Sequence, residues 1–207
     1  MASADLTRKE RERLRHRQQI LDAAQVLFAE HGFHNVSMQQ VAARAEFSIG
    51  SLYNFFKNKD DLYKTLIRDL SDRFQRAITN AMDSTDDEVE KLRSYVAAKT
   101  RVVRENVDII RLYLGETSGA GINIRAGLDD EIRVRRAKFL DVLAGIFAGG
   151  IEKGCFAGIA DPHLLAVGIE AVTNTVLIEC VEDPLHRSFP EDPDVLLNIF
   201  FRGLLVS

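Results

Sequence analysis

Apolar residues recur along most of this chain at helical spacing, three or four positions apart, and no sustained period-two alternation marks a half-buried strand. The first clear helix is predicted over about 12–31, where Ile20, Ala23, Ala24, Leu27 and Phe28 form one stripe. Gly32 follows, the residue type that most readily adopts the left-handed conformation closing a helix, and Phe33 can then fold back onto the stripe. Ser37-Met38-Gln39-Gln40 reads as a capping box opening a short helix to about 45, with Met38, Val41, Ala42 and Ala45 facing inward. Ser48 is a second N-cap, starting a helix to about 55 or 56. Asn58 caps a third, with Asp60 and Asp61 in its first turn, and its stripe runs through Leu62, Leu66, Ile67, Leu70, Phe74 and Ile78.

The polar stretch 82–87 is predicted as a loop and a hinge region. Helices are predicted over about 88–104 and 107–114, then a Gly-rich loop over 115–127, then a long helix over about 129–152. Asp161-Pro162 and Asp192-Pro193 each begin a further helix, with Pro at a position where its missing N–H costs nothing. The first of these two is apolar on almost every side. The second carries Val195, Leu196, Leu197, Ile199, Phe200, Phe201, Leu204 and Leu205. A helix that is apolar all round must be covered all round, so one side is expected to face the core and the other a second subunit. The fold class expected is all-α, with a three-helix helix-turn-helix domain over 1–58, including a basic N-terminal arm, and a helical domain over 59–207.

Composition narrows the picture little. The chain has 207 residues, 46% hydrophobic and 28% charged, as an ordinary soluble globular protein does. Its net charge of -4 argues weakly against nucleic acid, but the distribution argues the other way. Up to Leu66 there are 10 Lys and Arg against 8 Asp and Glu, whereas the remainder holds 17 against 23. Six of those basic residues, Arg8, Lys9, Arg11, Arg13, Arg15 and Arg17, fall within the first twenty positions. A basic front end on an acidic body suits a protein that turns one face to phosphates; a solvated charged tail is the alternative. The polar start is unlike a secretory signal, and no stretch approaches the roughly 18 uninterrupted apolar residues of a membrane span, so a cytoplasmic protein without a membrane partner is expected. Cys155 and Cys180 lack metal-ligand spacing and are expected to be reduced thiols.

Two short capped helices joined by Glu46 and Phe47, after a longer helix, match a helix-turn-helix, whose second helix offers its N-terminal residues to the major groove. Ile49, Gly50, Ser51, Tyr53 and Asn54 on that helix are small, polar or able to stack, and none is acidic. Leu52 and Phe56 supply its buried anchor, and Lys57 and Lys59 follow at once beside it.

At this point the resemblance to a family becomes specific. The run from Val36 to Leu62, with Ser37-Met38-Gln39-Gln40-Val41-Ala42 leading to Leu52-Tyr53-Asn54-Phe55-Phe56-Lys57-Asn58-Lys59-Asp60-Asp61-Leu62, resembles the DNA-binding region of TetR-family regulators. Ile20-Leu21-Asp22-Ala23-Ala24, Leu27-Phe28 and Gly32-Phe33 match the same family's first helix, so the likeness covers roughly residues 15 to 68. It implies that Gln39, Ile49, Gly50, Ser51 and Tyr53 approach base edges, and that Ser37, Tyr53, Asn54, Lys57 and Lys59 hold phosphates. Ser48, at the N-cap, completes the expected DNA-binding set. The bland alternatives are Tyr53 packed on the first helix, and Gln39 and Gln40 simply solvated. The family often has Tyr-His where this chain has Asn54-Phe55, which removes a polar DNA contact and leaves Phe55 to pack inward or touch a thymine methyl. The basic arm ahead of Arg17 is a candidate for an adjacent minor groove.

The resemblance also implies a homodimer on a palindromic operator, a small-molecule effector, and repression as the default sign. Dimerisation is expected through the two C-terminal helices, paired as a four-helix bundle. Leu112, Tyr113, Phe139, Phe147, Thr173 and Asn174 are the candidate effector-binding residues, offering aromatic surface with a few polar groups, and each is also readable as core. His31 and His34 straddle Gly32, do not share a helical face and have no third ligand nearby, so no metal or other cofactor is expected. No nucleophile-base motif or phosphate loop occurs, which argues against an enzyme. The alternative function is a non-sensing helical DNA-binding protein, or a protein-interaction regulator without a ligand.

Overall fold

In the computed structural model the backbone is described for residues 7–118 and 128–204, and side chains for 7–114, 131 and 133–199. Within these, nine helices follow one another: α1 (Arg8–His31), α2 (Met38–Arg44), α3 (Ile49–Tyr53), α4 (Lys59–Met82), α5 (Glu88–Glu105), α6 (Val107–Ser118), α7 (Leu128–Glu152), α8 (Pro162–Glu182) and α9 (Asp194–Leu204).

Most helix starts are explained by a side chain that satisfies the free N–H groups of the first turn. Gln40 N–H donates to Ser37 Oγ (3.3 Å) while Ser37 N–H donates to Gln40 Oε1 (2.8 Å), the capping box predicted for α2. Asp61 N–H donates to Asn58 Oδ1 (2.8 Å) at α4, and the N–H groups of Val89 and Glu90 donate to Asp87 Oδ1 (2.8 and 2.9 Å) at α5. Asp161 accepts from His163 N–H (2.9 Å) ahead of α8, with Pro162 in its first turn. Asp192 accepts from Asp194 N–H (2.8 Å) ahead of α9.

Two sequence expectations need correcting. α1 begins at Arg8, a full turn before its apolar stripe would place it, because Thr7 and Glu10 form a further capping box, with Glu10 N–H to Thr7 Oγ1 at 3.3 Å and Thr7 N–H to Glu10 Oε2 at 2.8 Å. The basic arm ahead of Arg17 is thus helical from Arg8 onward; residues 1–6 lie outside the described residues. α6 runs on to Ser118, into the stretch predicted as a Gly-rich loop, of which 119–127 lie outside the described residues.

The chain divides into two compact units, 1–70 with 112–125 and 71–111 with 126–207. The division falls within α4 and not between 58 and 59, because the first turns of α4 bury Leu62, Tyr63, Leu66 and Leu70 in the first unit. There α1 packs on α2 and α2 on α3. Gly32 (φ 77°) ends α1 and lets Phe33 turn back: its ring centroid lies 5.5 Å from Phe28 and 5.0 Å from Tyr63. Gln19 on α1 donates to the carbonyl of Ala45 (3.3 Å), tying the two helices by a polar contact as well.

In the second unit α5, α7, α8 and α9 pack against one another around Leu92, Tyr95, Val96, Leu143, Phe147, Ala166, Ile169 and Leu197. α7 closes on Gly154 (φ 74°), and the chain turns so sharply that the Phe156 ring stands 2.0 Å from where a Cβ on Gly150 would sit; no other residue fits there. Glu88, at the head of α5, accepts from Lys91 (3.0 Å) and from Lys153 (2.7 Å) at the end of α7. Burial pushes its carboxyl upward, but the bonds from the two lysines prevail and hold it below the usual carboxylate range. α8 is by length and composition apolar enough to cross a membrane. Here it is a core helix: Leu165, Ala166, Ile169, Thr173, Leu177 and Cys180 are buried along one side, and Glu170 is paired with charges from neighbouring helices. Its outer side is mixed, with Leu164 exposed alongside Asn174 and Thr175. Both cysteines are free thiols.

Candidate nucleic-acid interface

The corner between α2 and α3 is built by a helix-ending turn. Phe47 N–H donates to the carbonyl of Ala42 (2.9 Å), and Ala45 N–H to that of Val41 (2.9 Å). Such a six-to-one closure requires a left-handed residue, and Glu46 (φ 61°) takes that conformation although it carries a Cβ. Ser48 follows at once as the N-cap of α3, its Oγ accepting from Ser51 N–H (3.1 Å) and lying 2.8 Å from Ser51 Oγ. α3 is only five residues long, and Leu52, fully buried, is its anchor.

The rest of α3 is open. Ile49 is 36% and Tyr53 49% exposed, so Tyr53 does not pack into the unit. A Cβ on Gly50 would meet nothing within 4 Å, so this glycine is not required by any neighbour within the chain. Ser37, Gln39, Ser48 and Asn54 are exposed, Ser51 half-buried, and Lys57 exposed with its side chain free of any described partner. Phe55 is half-buried with its ring 6.4 Å from that of Phe47, which in turn stacks edge-on against His16 of α1 at 5.2 Å. This is the inward packing left open by the sequence. Arg44, exposed in the last turn of α2, is a further cation beside the corner, and its position as a basic residue closing a capped helix is the signal that marks it in the sequence.

Lys59 is a correction. Expected to hold a phosphate, its ammonium instead donates to the carbonyls of Phe33 (2.8 Å), Val36 (2.9 Å) and His34 (3.3 Å), and sits 4.4 Å above the Phe33 ring. An ammonium has three N–H donors, so these are spent on tying α4 to the loop after α1. Lys59→Met is expected to cost about 1–3 kcal/mol of stability by orphaning partly buried carbonyls. It should leave the slope of DNA affinity against salt unchanged, whereas loss of a phosphate contact would lower that slope by about one. Denaturant titration and salt-dependent binding of the same variant check both halves.

The candidate effector residues divide between the two units, Leu112 and Tyr113 in the first and the other four in the second. Phe147 is fully buried with its ring 5.6 Å from Phe156, and Asn174 is exposed, so packing and solvent account for these two. Leu112 and Tyr113 are half-buried on α6 and belong to the first unit. Phe139 and Thr173 do meet a common neighbour, Tyr95: the Phe139 ring lies 5.6 Å from it, and Thr173 stands beside its phenol. No local pattern around Tyr95 marks the charged group that surrounds it. Lys99 Nζ donates to Tyr95 Oη (3.2 Å) and lies 3.7 Å from Glu170 Oε1, while Arg136 Nη2 donates to Glu170 Oε2 (2.8 Å). Burial pulls Lys99 down to about 8 against the countering pull of Glu170, and burial with the Glu170 charge pushes the Tyr95 phenol well above its ordinary range.

Comparison with known proteins agrees with this geometry. Residues 20–66, from the middle of α1 into α4, match the family described as bacterial regulatory proteins, tetR family. The transcriptional regulator HbdR of Aromatoleum sp. (strain CIB) is 30% identical over 121 residues, 58% of this chain and 53% of that protein, so the match spans about half of the relative's length. Among solved structures, a putative transcriptional regulator from Saccharomonospora viridis in complex with choline superposes with a TM-score of 0.76 at 19% identity, covering 92% of this chain and 98% of that one. FadR from Bacillus subtilis in complex with stearoyl-CoA gives 0.72 at 20% identity over 90% and 98%. At such identities the structures establish the fold, and the reading head is identified by its own sequence. Residues 20–66 thus carry the sequence of the tetR-family segment of bacterial regulatory proteins, and the family likeness of the chain rests on them.

Proposed function

We propose that this protein is a cytoplasmic transcriptional repressor that binds a palindromic operator as a homodimer and releases it when a small molecule occupies the second unit. The observation that carries the reading is the head of α3: Ser48 to Asn54 stand in a capped, solvent-facing turn of helix whose buried residue, Leu52, leaves the other side chains available to base edges. Gln39, Ile49, Gly50, Ser51 and Tyr53 read bases. Ser37, Ser48, Asn54 and Lys57 take phosphates, and Arg44 joins them. Dimerisation through α8 and α9 would cover Leu164, Val195 and Ile199, all more than 60% exposed in the single chain. The solved relatives bound to choline and to stearoyl-CoA support a ligand-responsive second unit of open chemistry. An effector that binds the releasing conformation better must, by linkage, be bound more weakly in the presence of operator.

Selection of bound duplexes from a random pool tests the whole reading. A two-fold symmetric site is expected, with half-sites about one helical turn or a multiple apart. On that site Tyr53→Ala and Lys57→Ala should each weaken binding about tenfold at fixed salt, with unchanged melting of the protein. No enrichment, or enriched DNA that binds both variants as well as the parent, overturns it. Operator affinity that no metabolite alters would favour a DNA-binding protein without a sensor.

A further inference from the structure

The second unit holds a group of charged and hydroxyl side chains that DNA reading leaves unused. Lys99 and Tyr95 stand one turn apart on α5, Arg136 comes from α7, and Glu170 and Thr173 come one turn apart from α8. Glu170 has no oxygen to spare, since Oε2 is bonded by Arg136 and Oε1 faces Lys99. Two cations thus surround one anion, in a region where the Lys99 and Glu170 side chains are 12% and 11% exposed. Arg136 reaches half into solvent, so the formal excess of one positive charge lies at the open edge of a buried Lys99–Glu170 pair.

The donor balance leans the same way. Of the three N–H groups on Lys99, one finds an acceptor within hydrogen-bond distance among the described residues, the Tyr95 hydroxyl. Thr173 is fully buried, and among the described residues the Tyr95 phenol beside it is the one polar side chain its hydroxyl meets, with no hydrogen bond of ordinary length made. Buried polar groups are rarely left unsatisfied. Donors are therefore in surplus over free acceptors, and the Phe139 ring, 5.6 Å from that of Tyr95, is an apolar neighbour of the group.

We propose that this cluster is the polar end of the effector site, and that the effector is a monocarboxylate with an apolar body, its carboxylate accepting from Lys99 with the Thr173 hydroxyl as a further donor. This rests on the small-molecule reading above. A monoanion cancels the excess charge, a dianion would reverse it, and an amine would meet a carboxylate already engaged. The charged and titratable groups facing Lys99 are Tyr95 on its own helix, Arg136 on α7 and Glu170 on α8, while Asp194 on α9, which also packs against α5, is held by Arg93. An added anion raises the affinity of Lys99 for its proton, so binding near pH 8 draws a fraction of a proton from solution.

The test is calorimetric titration of the full chain with butanoate through dodecanoate and with phenylacetate, each beside its primary amide, in buffers of different ionisation enthalpy. At least one carboxylate should bind tenfold or more tighter than its amide, with proton uptake near pH 8. Lys99→Met should abolish both the preference and the uptake, and Arg136→Gln, at a half-exposed position, should reduce the preference if the first variant does not fold. No carboxylate preference in the parent, or a preference that survives both substitutions, overturns the proposal. Operator binding measured in parallel separates the two readings: release by amides as well as by carboxylates keeps the sensor and removes the carboxylate, whereas tight carboxylate binding without release keeps the site and removes its role as sensor.

Discussion

Leu52→Ala is expected to abolish operator binding more completely than any substitution on the exposed side of α3, at a cost of about 3 kcal/mol in stability. A helix of five residues cannot hold itself together in water, because helices shorter than roughly 12–15 residues are marginal even with good sequences. What holds α3 is its two ends and one buried side chain. The Ser48 cap satisfies part of the first turn, and Leu52 is completely enclosed. Truncating a buried leucine costs about 2–5 kcal/mol through lost transfer energy and an unfilled cavity. Here the loss also frees Ile49, Ser51 and Tyr53, the α3 side chains proposed to read bases, since all three depend on the same short rod for their direction. Urea titration and DNA binding at fixed salt should therefore both fall, with the binding loss exceeding the tenfold expected of Tyr53→Ala. Wild-type affinity in Leu52→Ala would show that something other than α3 meets the DNA.

Glu170→Gln is expected to destabilise the chain by about 2 kcal/mol near pH 7 and by much less near pH 10. Removing one partner of a buried ion pair commonly costs about 3–5 kcal/mol, but the Arg136 guanidinium is half exposed and so partly solvated. Lys99 is the group left stranded. Its folded value, lowered by burial to about 8, lies below its ordinary 10.5, so the unfolded chain binds the proton more tightly. The contribution of Lys99 to stability is therefore full above about pH 10.5 and is lost as pH falls through about 8. Without Glu170 that folded value drops further, which widens the window and concentrates the penalty at neutral pH. Denaturation midpoints of parent and variant at the two pH values give the comparison. An equal penalty at both would mean that charge on Lys99 is not the cause.

What could be read in the sequence is what depends on near neighbours. Ser37 with Gln40, Ser48, Asn58 and Asp161-Pro162 were each legible as helix starts because a cap is satisfied within three residues of itself. The α2–α3 corner is legible for the same reason, as two such caps around a long motif. Thr7-Arg-Lys-Glu10 carries the same signature and was passed over, because the turns it opens have no apolar stripe to mark them. The structural role of Lys59 is hidden from the sequence for a different cause. Its acceptors lie 23 to 26 positions earlier in the chain, where no local pattern points to them. The Lys99, Arg136 and Glu170 group was invisible likewise, as three helices contribute one charge each. Phe147 and Asn174 show the limit of periodicity on a mostly apolar helix: which side faces the core is decided by the neighbours it packs on.

The left-handed turn at Glu46 constrains how this reading head can vary over generations. Glycine, asparagine or aspartate at that corner would tolerate the same backbone, and glycine would relieve about 1–2 kcal/mol of crowding. Valine, isoleucine and threonine would be excluded by their branched Cβ, and proline both by its fixed φ and by losing the N–H that Glu46 gives to Ala43 (3.2 Å). In the proposed DNA-reading role, specificity can therefore drift through Ile49, Ser51 and Tyr53, which no backbone constraint of this kind ties down, while the hinge of the motif stays confined to a few small or flexible letters.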